Sequence, residues 1–397
     1  MDFESAVTFL KSFNPYEDEG FPKYNEKNFN VERLRIFLDA YDVGFGKLKY
    51  VHVTGSKGKS SVCGMIGNYL HRSGYKVGVF TTPYVLDLTE CIWLNGKNIS
   101  KKVFVEYVSD LKKIVDEYKG PMLTYFELLT AVMLRIFVLE KVDFAVIEVG
   151  LGGRLDATNV INAKVAVLTL VEKEHVELLG KTYDGILNEK LGIVVGKNVK
   201  NLVVGKQIPC VERLVRAKVR KVKNVVFVKR VGNDAIAFDV LKSLLGDVDV
   251  ELFRHVVENF KMIGRFDVRM IEDKIVVFDM AHTKNSIDVL LRNLGLRFPK
   301  KSFKFLVSIM KNKNVKDVLL PICRVGKEVV VTSSNSERGY SSAELKALAL
   351  KLGLKVQAVE NFESAYENML KKMGAGNVLV VTGSHFLVGK VLSLFCR

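Results

Sequence analysis

The sequence predicts an α/β protein, with an N-terminal P-loop-type domain built on a mostly parallel sheet and a smaller Rossmann-like α/β domain behind it. Two observations lead there. At "YVHVTGSKGKSS", residues 50–61, an apolar run meets a glycine-rich turn and then a helical stripe. From residue 274 onward, short apolar runs alternate regularly with segments of helical periodicity.

In the N-terminal part, "LKYVHVTG", "YKVGVF", "DFAVIEVG" and "AKVAVLTLV" read as strands around helices at 61–72 and 126–140. Val62, Met65, Ile66, Tyr69 and Leu70 fall at i, i+3, i+4, i+7 and i+8, the buried stripe of the first of these helices. Farther on, "KIVVFDMA", "FKFLVSI", "EVVVTSS", "KVQAV" and "NVLVVTGS" read as strands. "SIDVLLRNL", "VKDVLLPI", "SAELKALALKLG", "FESAYENMLKKM" and "LVGKVLSLF" read as helices. This alternation is that of a parallel sheet covered on both faces. The boundary falls near Ile263, just before "GRFDV", which gives domains 1–262 and 263–397.

With 397 residues, 48% of them hydrophobic, the chain can bury a large core. It contains no apolar run of ~18 residues. Its first four residues include Asp2 and Glu4, where a secretory signal would be basic, so a cytoplasmic location and no membrane partner are expected. Cys63, Cys91, Cys210, Cys323 and Cys396 form no C-x-x-C pair, and are expected to be reduced and mostly buried. A net charge of +16 implies attraction to anions. Its densest cluster, 213–230, reads as the solvated face of a helix or strand. With one tryptophan and no interleaved aromatic and basic motif, no nucleic-acid partner is expected; a nucleic-acid-binding P-loop protein is the distant alternative.

The turn "TGSKGKSS" is too short for the G-x-x-x-x-G-K-[ST] pattern, because Val53 stands six places before Lys59. Its chemistry is nonetheless that of a phosphate cradle. Gly55 and Gly58 let backbone amides close on oxygens, the helix N-terminus adds partial positive charge, Lys59 can reach outer phosphates, and Ser60 or Ser61 can ligate magnesium. Glu148 and Asp279 each end an apolar strand, at the carboxyl edge where sheets of this class bind ligands. By residue type alone, His175 reads as a surface histidine, Lys190 as helix surface and Arg265 as one half of an interdomain ion pair.

These motifs occur in a characteristic order. "HVTGSKGKSS" resembles the "HVxGTNGKGS" loop of the folylpolyglutamate synthase and dihydrofolate synthase family, relatives of the Mur ligases. "VFTTPYVLDLTECIWLNG", "LTYFELLTA", "IEVGLGGRLDATNVI", "EHVELLG", "NEKLGIV", "IGRFDV", "FDMAHTKN" and "VVTGSHFLVG" are similar to later family segments, so the likeness spans about residues 30–390. The clipped loop is the family's own form.

The resemblance implies a P-loop-type ATPase domain followed by a glutamate ligase domain, and ATP-driven addition of L-glutamate to folate or dihydropteroate through an acyl phosphate. It implies ATP and Mg2+, with Thr82, Glu148, His175 and a carbamylated Lys190 at the metals, and Lys59, Lys190 and His175 as catalytic residues. ATP would be held by Gly55, Ser56, Gly58, Lys59, Ser60, Ser61, Arg265, Asp279, His282 and Asn233, or by Asp234 in the neighbouring register. The substrate would meet Thr124, Tyr125, Phe126, Glu127, Leu155, Asp156 and Ala157, and the enzyme would be a monomer. Lys57, Tyr84 and Cys91 depart from the family's asparagine, histidine and arginine. They leave the phosphate chemistry intact but keep open a Mur-like ligase acting on another carboxylate.

Overall fold

The computed structural model describes residues 1–13 and 24–395, which divide into two compact units, Met1–Phe260 and Lys261–Arg397. The strands of the first unit are β1 Lys49–Thr54, β2 Val77–Phe80, β3 Ile92–Leu94, β4 Lys97–Asn98, β5 Phe144–Glu148, β6 Ala163–Leu168, β7 Asn201–Val204 and β8 Asn224–Phe227. They make one sheet in the order β4-β3-β2-β5-β1-β6-β7-β8, with β3 and β4 turned antiparallel at one edge and the rest parallel.

β1 is central because every residue after Lys49 in it is buried. Its alternating side chains feed two cores. Val51 and Val53 pack with Val62, Cys63 and Ile66 of the helix Lys59–Arg72, whereas Tyr50 joins the core under the helix Tyr125–Leu139. Both helices start within two residues of the expected positions. The pairing register sets Val53 opposite Glu148 and Thr54 opposite Leu168, so β1, β5 and β6 leave the sheet at one carboxyl edge.

Several elements escape the sequence reading, among them the helices Lys101–Glu117 and Asn233–Leu245 and the strands β3, β4, β7 and β8. The basic cluster at 213–230 comprises the end of the helix Pro209–Lys218 and the edge strand β8, where Arg216 stacks 3.7 Å over the ring of Phe227.

The second unit holds β9 Asp267–Ile271, β10 Lys274–Phe278, β11 Ser302–Val307, β12 Gly326–Val331, β13 Gln357–Ala358 and β14 Asn377–Thr382, in the order β13-β12-β11-β14-β10-β9. Five are the strands read from the sequence, and they are parallel. β9 was not read. It pairs antiparallel with β10 through a tight turn in which Glu272 and Asp273 both take positive φ, 47° and 60°. Among the described cysteines, Cys63 and Cys91 are free and buried, Cys323 is half-buried and Cys210 is exposed; Cys396 lies outside the described residues. Among the described residues no helix is long and apolar enough to cross a membrane.

One buried ion pair fixes the first helical layer. Thr124 caps the helix Tyr125–Leu139 in a box with Glu127, whose Oε2 accepts from the Thr124 amide at 2.7 Å. Arg33 then donates to both oxygens of Glu127, from Nη2 at 2.7 and 2.9 Å and from Nε at 3.0 Å. Removing the guanidinium would leave a buried carboxylate half compensated, so Arg33→Ala should cost about 3 kcal/mol. Trp93, the single tryptophan, lies in β3 of the same unit, and its fluorescence in a urea titration measures this loss.

Candidate active site

The turn after β1 is shaped by two glycines that no other residue could replace. Gly55 has φ 143°, and a Cβ on it would stand 1.9 Å from Thr169 Oγ1. Gly58 has φ 87° and caps the helix Lys59–Arg72; a Cβ there would meet Asn233 Oδ1 at 2.2 Å. Asn233 therefore sits directly against the phosphate loop, although it is 175 positions from Gly58 in sequence. Ser60 is buried in the first helical turn, and Ser61 beside it is half-buried.

Two lysines converge on the carbonyl of Gly55. Lys59 Nζ donates to it at 3.2 Å and Lys190 Nζ at 2.8 Å. Lys190, expected on a helix surface, is 2% exposed. The correction has a plain cause: Lys190 ends the helix Tyr183–Lys190, and its last turn points at the sheet edge rather than at solvent. Its amine also lies 3.2 Å from Glu174 Oε1. Burial lowers its pKa to about 8, helped by Lys59 and Lys57 and opposed by Glu174. Burial would raise the Glu174 carboxyl, but Lys190, Lys59, Lys57 and His175 outweigh it and hold it below its ordinary value.

Glu148 is 2% exposed. Its Oε2 accepts from the amide of Thr82 at 3.2 Å, and its Oε1 faces Lys59 Nζ at 3.9 Å. Magnesium takes one or two carboxylates and keeps several waters, so a buried acid joined to a threonine beside a phosphate loop fits that ion. Among the described residues no cluster of three or more His, Cys, Asp or Glu forms a cage. His175 is exposed, with φ 46°, and opens the short helix Val176–Leu179 next to Glu174.

The residues expected to meet substrate are partly engaged by their own framework. Thr124 and Glu127 form the cap described above; Tyr125 and Phe126 are half-buried. A Cβ on Gly150 would touch the ring of Phe126 at 2.7 Å. Leu155, Asp156 and Ala157 are buried. Asp156 accepts from the Leu151 amide at 2.8 Å and from both polar hydrogens of Thr158, whose hydroxyl also meets His52 Nε2 at 2.8 Å. Burial raises the Asp156 carboxyl, and these bonds partly offset the rise.

In the second unit Asp279 accepts from the amides of Phe266 and Ala281, both at 2.8 Å, and burial raises its carboxyl. His282 Nδ1 lies 2.9 Å from the carbonyl of Met280, which assigns the proton to Nδ1. Arg265 is exposed at the turn before β9. Glu174, Thr169 and His52 were not singled out from sequence. Only Thr169, a polar residue closing an apolar strand, carried a signal of the kind that drew attention to Glu148.

Residues 53–269 match the Mur ligase middle domain, and residues 264–385 the glutamate ligase domain of Mur ligases. The chain belongs to the Mur ligase family. Among its relatives, a dihydrofolate synthase/folylpolyglutamate synthase of Mycobacterium tuberculosis is 28% identical over 93% of this chain and 90% of its own. One of Buchnera aphidicola subsp. Baizongia pistaciae is 27% identical over 91% and 90%. The folylpolyglutamate synthase of M. tuberculosis complexed with ADP superposes with a TM-score of 0.86 at 25% identity, covering 100% of this chain and 98% of that one. The folylpolyglutamate synthase of Thermotoga maritima gives 0.80 at 25% identity, over 100% and 97%. In this Mur ligase fold the clipped turn closes against Thr169 and Asn233, which stand where a Cβ on Gly55 or Gly58 would lie.

In this Mur ligase, β1 and the glycine-rich segment after β5 are tied through His52 and Thr158. Burial lowers the pKa of His52 from 6.5 to about 3, with Lys197 adding to it. Between those values the unfolded chain binds a proton that the folded chain refuses, so stability rises with pH across that window and falls as pH drops through it. His52→Asn should flatten the stability–pH slope between about pH 4 and 6 by up to about 1.4 kcal/mol per pH unit, read from urea midpoints.

Proposed function

We propose that this protein is an ATP-dependent ligase that adds L-glutamate to a folate or to dihydropteroate, forming ADP and phosphate. The observation that carries the reading is the meeting of Lys59, Lys190 and Glu148 at the Gly55 turn, in a chain alignable over nine-tenths of its length with dihydrofolate synthase/folylpolyglutamate synthase relatives. ADP bound to the M. tuberculosis relative supports the nucleotide.

A substrate carboxylate oxygen attacks the γ-phosphorus, the bond to the bridging oxygen breaks and ADP leaves. The amine of glutamate then attacks the acyl carbon, phosphate departs, and the ammonium proton is released. Gly55, Gly58 and the residues Lys59 to Ser61 at the helix N-terminus hold the phosphates, with Ser56 turned instead to the segment after β6, and Lys59 carries positive charge to the oxygens where negative charge develops. Bound magnesium supplies charge neutralisation on the phosphates. Glu148, Thr82 and His175 would hold it, and Asn233 is read as the adenine contact. Arg265, Asp279 and His282 are read as further nucleotide contacts. Tyr125, Phe126, Leu155 and Ala157 are read as the substrate side, with Thr124, Glu127 and Asp156 fixing their loops.

Lys190 is read as a carbamate. Its lowered pKa keeps a larger fraction of neutral amine, whose lone pair can attack carbon dioxide; the N–C bond forms, an N–H proton passes to solvent, and an anionic oxygen ligand results. The reading also takes the enzyme as a cytoplasmic monomer, in keeping with the free, buried thiols of Cys63 and Cys91.

ADP release with dihydropteroate, tetrahydrofolate and a panel of unrelated carboxylates, each with and without L-glutamate, tests the reading. Release should require glutamate and a pterin-bearing carboxylate, and Lys59→Ala should lower it on the order of a hundredfold while the fold remains. A non-folate carboxylate alone supporting turnover would move the substrate elsewhere; Lys59→Ala within about threefold of the parent would end the nucleotide assignment. For the carbamate, Lys190→Ala should be partly restored by a short-chain carboxylic acid, and full activity in Lys190→Arg would contradict it.

A further inference from the structure

Ser56 lies between the two glycines of the phosphate loop, is 6% exposed, and turns its amide and hydroxyl to the segment after β6. Its amide donates to the carbonyl of Leu170 at 2.7 Å, and the amide of Lys57 reaches the same carbonyl at 3.3 Å. The hydroxyl of Ser56 donates to the carbonyl of Glu172 at 3.1 Å and accepts from the amide of Glu172 at 3.0 Å. One side chain thus satisfies both main-chain groups of a residue 116 positions away.

The segment held in this way, residues 169–175, leaves β6 without regular structure until the helix at Val176. From the other side it is held by Gln207, whose Nε2 donates to the Thr169 carbonyl at 2.7 Å and whose Oε1 accepts from the Val171 amide at 3.0 Å. Two residues beyond Glu172 the segment delivers Glu174 to Lys190, and next to it sets out His175. A shift at Glu172 is therefore passed on to Glu174 within two residues, about 7 Å of extended chain.

We propose that Ser56 is a positioning residue: it fastens the Glu174–His175 segment to the phosphate loop, so that the carboxylate facing Lys190 keeps its register with the lysine facing Glu148. This rests on the ligase reading given above, in which Lys59 and Lys190 act on one reaction. Both donors of Ser56 are taken by main-chain carbonyls, so its effect on the reaction passes through Glu172 and not through direct contact with ATP.

Ser56→Ala and Ser56→Thr, made in the full chain, test this. Hydrogen exchange at the amide of Glu172 should quicken about tenfold or more in the alanine variant and return toward the parent in the threonine variant, which keeps a hydroxyl. Steady-state kinetics should give a kcat lower by about tenfold in Ser56→Ala with the KM for ATP within about twofold, and Ser56→Thr should recover kcat. Unchanged exchange at Glu172 would overturn the proposal, as would a raised KM for ATP at constant kcat, the signature of a lost phosphate contact. If the parent shows no glutamate-dependent ADP release, the ligase reading fails separately, and the Glu172 amide alone still decides whether the fastening exists.

Discussion

Everything at this site depends on one carbonyl oxygen. The main-chain oxygen of Gly55 accepts from the side chains of both Lys59 and Lys190, so two cationic groups share a partner inside protein. Such a pair repels strongly where the dielectric is low, and it persists only because acids flank it: Glu148 on the Lys59 side, Glu174 on the Lys190 side. Lys57 at 4.0 Å from Glu174 leaves the cluster with three lysines against two carboxylates. That excess of positive charge is what a polyphosphate would meet, and Lys59 and Lys57 add to the burial that lowers the Lys190 pKa to about 8.

The sheet makes this meeting possible. β1, β5 and β6 are neighbours in parallel register, so the residues that follow their last paired positions emerge together. Gly55 follows β1, Glu148 closes β5 and Thr169 follows β6. Thr169, at the exit of β6, leaves no room for a side chain at position 55, which is why the turn has glycine with positive φ there. The helix Tyr183–Lys190 then closes the remaining side with the last residue of its last turn.

Around this centre the polar residues of the first unit serve mainly as rails. Arg33 and Thr124 satisfy Glu127, and Thr158 and the Leu151 amide satisfy Asp156, so two buried carboxylates stand at fixed places under loops with glycines or half-buried aromatics. Fixing these loops leaves Tyr125 and Phe126 partly accessible above them. Asp279 does the same work in the second unit, with one carboxylate oxygen on each of two backbone amides.

The sequence by itself determined the α/β class, the central strands, the helix after the glycine turn and the ordered family motifs, because strand and helix periods and turn chemistry are local properties. It also marked Glu148, since an acid closing an apolar strand has few other places to be. β9 and β8 escaped it because their residues alternate exposure at a sheet edge and none is fully buried, so no buried apolar run marks them. Lys190, Glu174 and Ser56 could not be read locally at all. Lys190 sits 135 positions from the carbonyl it touches, and Ser56 sits 116 from the residue it holds. Only the tertiary structure decided that a lysine at the end of a polar helix is buried. Its burial depends on where the chain returns, and the free energy that keeps it there comes from partners that the local sequence does not contain.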